Sequence, residues 1–295
     1  MPVLTDLQDA IAGLKARLVK HHGINGLEVA VRPAGQETFV VSGRVLLFAT
    51  LQTLKELLAP FGAQVSYQVC LPAISSTRYI TPAGERLNVF AAPGSRRLHM
   101  QLLAHDPPCQ VVSRHGDYLF VRSKCRVHGW VVARECVACP PGRKYMVLQP
   151  GQQILLTRDK TQQVVAYLSR FVDRVRYRWG ASSYREMDCS GLVMRCFLDQ
   201  FNICIPKHSW DQKQLFRHEV PLADCRPLDL LFCRQRETHN KHVAMIIRTH
   251  PSEVIEASLT KKRVVVTPLD AFRQSFAVQA AKRPFLPMPA TCNQQ

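Results

Sequence analysis

Asp188-Cys189-Ser190-Gly191 stands just before an apolar run at helical spacing, Leu192, Val193, Cys196 and Phe197. Far downstream a strand-like run, His242-Val243-Ala244-Met245-Ile246-Ile247, opens on a histidine. The helical spacing sets Cys189 at a helix N-terminus. Unpaired N–H groups and the positive end of a helix dipole favour thiolate over thiol there, and a neighbouring imidazolium favours it further. Such a pair does acyl chemistry: the sulfur attacks a carbonyl carbon and the ring moves the proton, as in a cysteine hydrolase. The alternative for Cys189 is an inert buried thiol, the reading given to Cys196, Cys204 and Cys233. Its Asp-Ser-Gly flanks make a poor core, which favours the nucleophile.

The elements that must hold these groups fall into three stretches. Residues 1–80 read as helix (4–20), strands (27–33 and 37–42), helix (47–61) and strand (64–70), a small α/β unit of unknown role. Its order resembles the small BON-type sandwich in topology. Residues 81–140 carry short alternating runs separated by Pro, Gly and charge, the pattern of a small all-β barrel. Leu87-Asn88-Val89 with Pro93, Gly116-Asp117-Tyr118-Leu119-Phe120-Val121 and Gly129-Trp130-Val131 resemble the bacterial Src-homology-3-like domain. Tyr118 and Trp130 are read as core there. CPPGRK at 139–144 marks a linker. Residues 141–288 place helices at about 161–175 and 189–201 ahead of strands near 228–233, 242–248, 253–257 and 263–267, an α+β layout. Residues 289–295 read as a tail.

Five blocks recur in order: Tyr177-Arg178-Trp179-Gly180; Asp188 to Val193; Ile205-Pro206-Lys207-His208-Ser209 with Gln212; Leu228-Asp229-Leu230-Leu231-Phe232; His242-Val243-Ala244. Together they resemble the NlpC/P60 family of cell-wall cysteine peptidases. The resemblance implies a papain-like catalytic domain hydrolysing murein-derived peptides at the γ-D-glutamyl–diamino-acid bond. Cys189 would be the nucleophile and His242 the general base and later general acid. Glu256 falls where the family presents His, Asn or Gln; a carboxylate there can accept from the imidazole Nδ1–H, or it can face solvent and leave another group to orient the ring. His239 and His250 are weaker orienting candidates in polar turns. Asp188 and Ser190 would hold the free amino end of the peptide, with Asp188 also able to cap its helix. The Cys189 N–H is an oxyanion donor and Tyr177 a second. Ala181 and Leu228 stand where the family usually has Gly.

The balance of 39 basic and 22 acidic residues gives a net charge of +17. Such a surface draws in acidic peptides, but the cations are dispersed and no phosphate-cradling loop is present, so no dedicated nucleic-acid partner is expected. No apolar run reaches the length of a membrane span. The N-terminal segment lacks a basic n-region and a cleavage site, and the odd count of eleven scattered cysteines favours a reducing compartment, so a cytoplasmic location is expected, with signal-less export left open. Cys136-x-x-Cys139 offers half of a zinc spacing, with Cys109, Cys125 and His128 as completers, but a second tight pair is missing and neither metal nor cofactor is expected. Two other functions compete: a thiol amidase or acyltransferase on a lipid or protein, which needs a long apolar groove, and a catalytically idle peptide-binding protein. Intact Cys189 and His242 speak against the idle reading.

Overall fold

The computed structural model describes residues 4–22, 27–35, 38–45, 48–70, 78–142 and 145–288. The tail 289–295 and Arg143-Lys144 of the proline-rich linker lie outside them. In the first stretch α1 (Leu4–His22) is followed by β1 (Leu27–Gly35), β2 (Thr38–Val45), α2 (Phe48–Leu58) and β3 (Val65–Cys70). Leu7, Ile11 and Leu14 share one stripe of α1 and bury it against Leu54 and Leu58 of α2 and Leu27 and Val41 of the sheet. β1 and β2 pair antiparallel, β2 and β3 parallel. The helix expected to run to residue 61 ends at Leu58 because Pro60 opens a separate 3-10 segment, Ala59–Gln64.

Seven strands follow: β4 (Tyr79–Pro82), β5 (Arg86–Phe90), β6 (Leu98–Leu103), β7 (Cys109–His115), β8 (Tyr118–Arg122), β9 (His128–Val132) and β10 (Cys136–Cys139). They pair in the order β10-β4-β7-β8-β9-β5-β6. The all-β character is as expected; the ladder, however, does not join its two ends, so no closed barrel forms among the described residues. Trp130 and Phe120 are buried in it with ring centroids 5.2 Å apart.

The last stretch contains β11 (Met146–Val147), β12 (Ile154–Leu156), α3 (Arg158–Ser169), β13 (Arg176–Tyr177), β14 (Glu186–Met187), α4 (Cys189–Phe201), β15 (Ile203–Cys204) and α5 (Ser209–Leu215). β16 (Glu219–Val220), β17 (Leu230–Gln235), β18 (Lys241–Thr249), β19 (Ser252–Ser258), β20 (Arg263–Pro268), α6 (Leu269–Ser275), β21 (Phe276–Lys282) and β22 (Phe285–Pro287) complete it. Its main sheet runs β14-β13-β20-β19-β18-β17-β21-β16. α4 packs on β18 and β19 and is buried on every side from Cys189 to Leu198. Each of its large apolar side chains removed from water is worth roughly 1.5–3 kcal/mol, so the helix is held by its surroundings more than by propensity.

The linker does not separate two cores. Leu87, Val89, Met100 and Val131 of the β unit belong to one continuous apolar cluster with Leu192, Phe197 and Met245 of the α+β unit. Arg195 of α4, fully buried, spans the junction: it donates to both oxygens of Asp106 (2.5 and 2.9 Å) and to the Ser182 carbonyl (2.7 and 3.1 Å). At the same junction Gly180 has φ +79, and a Cβ on it would lie 2.1 Å from the Leu98 carbonyl oxygen, so the two backbones meet where only glycine fits.

Candidate active site

Asp188 caps α4. Its extended backbone precedes the first helical turn, and Oδ1 accepts from the Gly191 N–H at 2.6 Å. That cap fixes where the helix begins and puts Cys189 in the first turn, on the floor of a cleft of about 570 Å³. Gly191 lets the turn approach the preceding loop: a Cβ there would stand 2.3 Å from the Ala181 carbonyl oxygen.

His242 is the second residue of β18, paired with Cys233 of β17. Its ring stacks on Phe276 at 4.5 Å. The pairing of Met245 with Ile255 puts Glu256 of β19 on the same sheet face as His242. His242 Nε2 lies 2.7 Å from Glu256 Oε2, and both side chains are buried. Cys189 is the ring's other polar partner, and the nitrogen left for it is Nδ1. The carboxylate therefore meets Nε2, where Nδ1–H was expected, and it does not face solvent. Burial alone would lower the His242 pKa; the charge of and hydrogen bond to Cys189, with those of Glu256, outweigh it and raise the value to about 10. Cys189 and Glu256 thus act on the same buried ring.

Tyr177 lines the cleft, and burial, then the charges of Cys189 and Asp188, push its phenol well above the ordinary range, so the hydroxyl remains a donor. Asp188 and Ser190 require a correction. The ammonium of Lys207, itself fully buried, donates to both Asp188 oxygens at 2.8 Å and reaches Ser190 Oγ at 3.5 Å. Asp188 Oδ2 also accepts from the Gly180 N–H at 2.8 Å, and Ser190 Oγ donates to Oδ1 at 3.0 Å. The acceptors expected to take a substrate's amino end are thus occupied by the chain's own cation. A carboxylate buried beside an apolar helix needs such a partner.

The sequence reading assigned Lys207 no role, although its place in the motif with Pro206 and His208 was visible. It also missed the cleft walls. Arg97, Leu98 and His99 of the β unit form one side; Trp179, His208, Trp210, Arg234 and Lys241 contribute elsewhere. Burial, then Lys207, lowers His208 to about 4, leaving a neutral ring. His239 reaches the rim of this cleft, whereas His250 lies in another pocket. Cys196 and Cys233 are buried thiols pushed upward by burial, and Cys204 is buried beside Cys125. Among the described residues the group within metal-ligand reach is His105, Asp106 and Asp199, which does not include Cys136 or Cys139; Arg195 already engages both of its carboxylates.

A helix-borne thiol set against a sheet-borne imidazole is the layout of papain-like folds, and the α+β unit has that layout. Comparison with known proteins narrows the class: residues 174–281 match the NlpC/P60 family and form an NlpC/P60 domain. The chain is 31% identical over 96 residues to murein DD-endopeptidase MepS/murein LD-carboxypeptidase of Escherichia coli K12, covering 32% of this chain and 48% of that protein. A probable endopeptidase of Haemophilus influenzae is 33% identical over 73 residues, 24% of this chain and 45% of that protein. The chain spans about half the length of these curated relatives. Among solved structures, the peptidoglycan hydrolase RipB of Mycobacterium tuberculosis aligns over 43% of this chain and 68% of that one, at 26% identity and a TM-score of 0.33.

Proposed function

We propose that this chain is a cysteine endopeptidase acting on murein-derived peptides, with the γ-D-glutamyl–diamino-acid amide as scissile bond. The observation that carries the proposal is the buried contact of 2.7 Å between His242 and Glu256 directly behind a helix-terminal Cys189 that opens to a cleft. The Cys189 sulfur attacks the carbonyl carbon, and the oxyanion is met by the Cys189 N–H and the Tyr177 hydroxyl. His242 passes its Nδ1 proton to the leaving amine, and a thioester remains. Water, deprotonated by His242, then releases the acid and restores the thiol. Glu256, in ion-pair contact with Nε2, offsets the imidazolium charge throughout. Peptidase relatives and the family match support the substrate class.

Selection of a free amino end is not part of the proposal, because Lys207 neutralises Asp188. A lipid-directed amidase calls for a long apolar groove, whereas this cleft sets Arg97, Arg234 and Lys241 beside Leu98, Trp179 and Trp210. The seven-stranded unit is read as Src-homology-3-like on its sequence pattern, and a reducing compartment is proposed from the odd number of scattered cysteines in the sequence. Incubation with defined murein tripeptides and tetrapeptides, followed by mass spectrometry, tests the function: cleavage at the glutamyl–diamino-acid bond is expected. Cys189→Ala should lower turnover by several orders of magnitude without unfolding the chain. Wild type that leaves every peptide intact, or a Cys189→Ala variant keeping more than about a tenth of turnover, would refute it.

A further inference from the structure

The cleft has an unbalanced charge. Its one lining carboxylate, Asp188, is spent on Lys207, while Arg97, Arg234 and Lys241 line it with no carboxylate in ion-pair contact among the described residues. The acid within electrostatic reach of Lys241 is Asp211, whose carboxyl burial pushes upward and Arg126 and Lys241 only partly pull back. The three cations stand on two walls. Arg97 immediately precedes β6 in the β unit, and Arg234 and Lys241 are directly cross-strand partners on β17 and β18, next to His242. Like charges facing each other across a ladder are destabilising, yet here the pair is kept in place. The Arg234 guanidinium donates to the His239 carbonyl at 3.1 Å, and the Lys241 ammonium lies 4.3 Å from the centre of the Trp210 ring.

We propose that Arg97, Arg234 and Lys241 form an anion subsite that selects substrates carrying a free carboxylate beside the scissile bond. This rests on the reading of the chain as a murein-peptide hydrolase and names the substrate feature it takes. A glutamyl residue linked through its γ-carboxyl keeps its α-carboxylate, which sits within a few bonds of the attacked carbonyl. The corresponding α-amide has the same size and no charge. A carboxylate brought between the walls gains charge-assisted donors from both; the amide gains only neutral ones and leaves the cations unpaired.

The test compares kcat/KM for a pair of peptides differing only in α-carboxylate against α-carboxamide on the γ-linked glutamyl residue. Wild type should favour the carboxylate by about tenfold or more, the span of a hydrogen bond to a charged group, and rising salt should shrink the ratio. Arg234→Gln with Lys241→Gln should bring the ratio toward one, and Arg97→Gln alone should lower it in part. Arg248→Gln, an exposed cation outside the cleft, removes one positive charge as Arg97→Gln does and should leave the ratio in place. Equal cleavage of the two peptides by wild type, or an unchanged ratio in the double variant, overturns the subsite. Failure to cleave either peptide overturns the hydrolase reading instead, so the two failures are distinct.

Discussion

His242 is the residue on which the chemistry of the site turns, and its environment sets a pH signature. With its value raised to about 10, the imidazolium persists through neutral pH, and turnover should fall only as pH approaches 10. Because the folded value lies above the ordinary 6.5, the charged ring's contribution to stability is full below 6.5 and is lost as pH rises through about 10. Glu256→Gln removes one of the two groups that raise it, so the alkaline arm of kcat should move to lower pH while KM changes less. An arm near 6.5 in wild type, or one unmoved in Glu256→Gln, would contradict this account.

Lys207 gives a second prediction at the same scale. Lys207→Met leaves Asp188 buried without its cation and should destabilise the chain by about 3–5 kcal/mol in denaturant titration, whereas adding Asp188→Asn should recover part of that loss. Full additivity of the two changes would show that the pair is not coupled. Cys189 was legible from its Asp-Ser-Gly neighbours, His242 from its place in the strand-like run, and Glu256 only from the family resemblance, which left its orientation open. The partnership of Lys207 with Asp188 was not, since nothing in one sequence says that a lysine near a proline will turn inward.

Among the elements, those with strong periodicity were readable. α4 was expected at 189–201 and spans Cys189–Phe201, because the capping aspartate and an apolar run mark both ends of the pattern. α3 was expected at about 161–175 and instead covers Arg158–Ser169: the Thr157 hydroxyl accepts from the Lys160 N–H and starts it early, a cap masked by the charged residues that follow. β21, rich in alanine, and the short helices α5 and α6 carry too little pattern to be seen, although β21 pairs with β17 inside the main sheet.

Two positions test how backbone needs override propensity. Gly191→Ala should gain about 1 kcal/mol of helix propensity, but its Cβ would meet the Ala181 carbonyl oxygen at 2.3 Å, so net destabilisation and displacement of Cys189 are expected. A variant with unchanged melting temperature and turnover would show that the loop yields freely. Leu228 holds φ +75 where the family's pattern has glycine, and it is fully buried. Burial of roughly 1.5–3 kcal/mol exceeds a left-handed penalty of about 1–2 kcal/mol. Leu228→Gly should therefore destabilise the chain, measured by thermal unfolding, despite relaxing the backbone.

Taken as a whole, the β unit and the α+β unit unfold as one body in this picture, because they share a core and the Arg195–Asp106 pair. Asp106→Ala leaves the buried Arg195 guanidinium with only the longer carboxylate contact to Asp199 and should lower stability by about 3 kcal/mol, with a single calorimetric transition before and after. Two separated transitions in wild type would refute the shared core. The sequence announced two neighbouring folds through a change of pattern and a proline-rich link, but contacts between residues as distant as Asp106 and Arg195 leave no local trace.

The position of Arg97, Leu98 and His99 in the cleft has a consequence for engineering and for descent alike. A graft of residues 174–281 into another protein would carry the nucleophile, the base and the carboxylate behind it, and would leave one wall of the cleft with its former owner. The nucleophile, the base and the cations Arg234 and Lys241 thus travel on one piece of the chain, while Arg97 and the rest of one cleft wall stay with the β unit, so a transplanted catalytic unit keeps its reaction and only part of its selectivity.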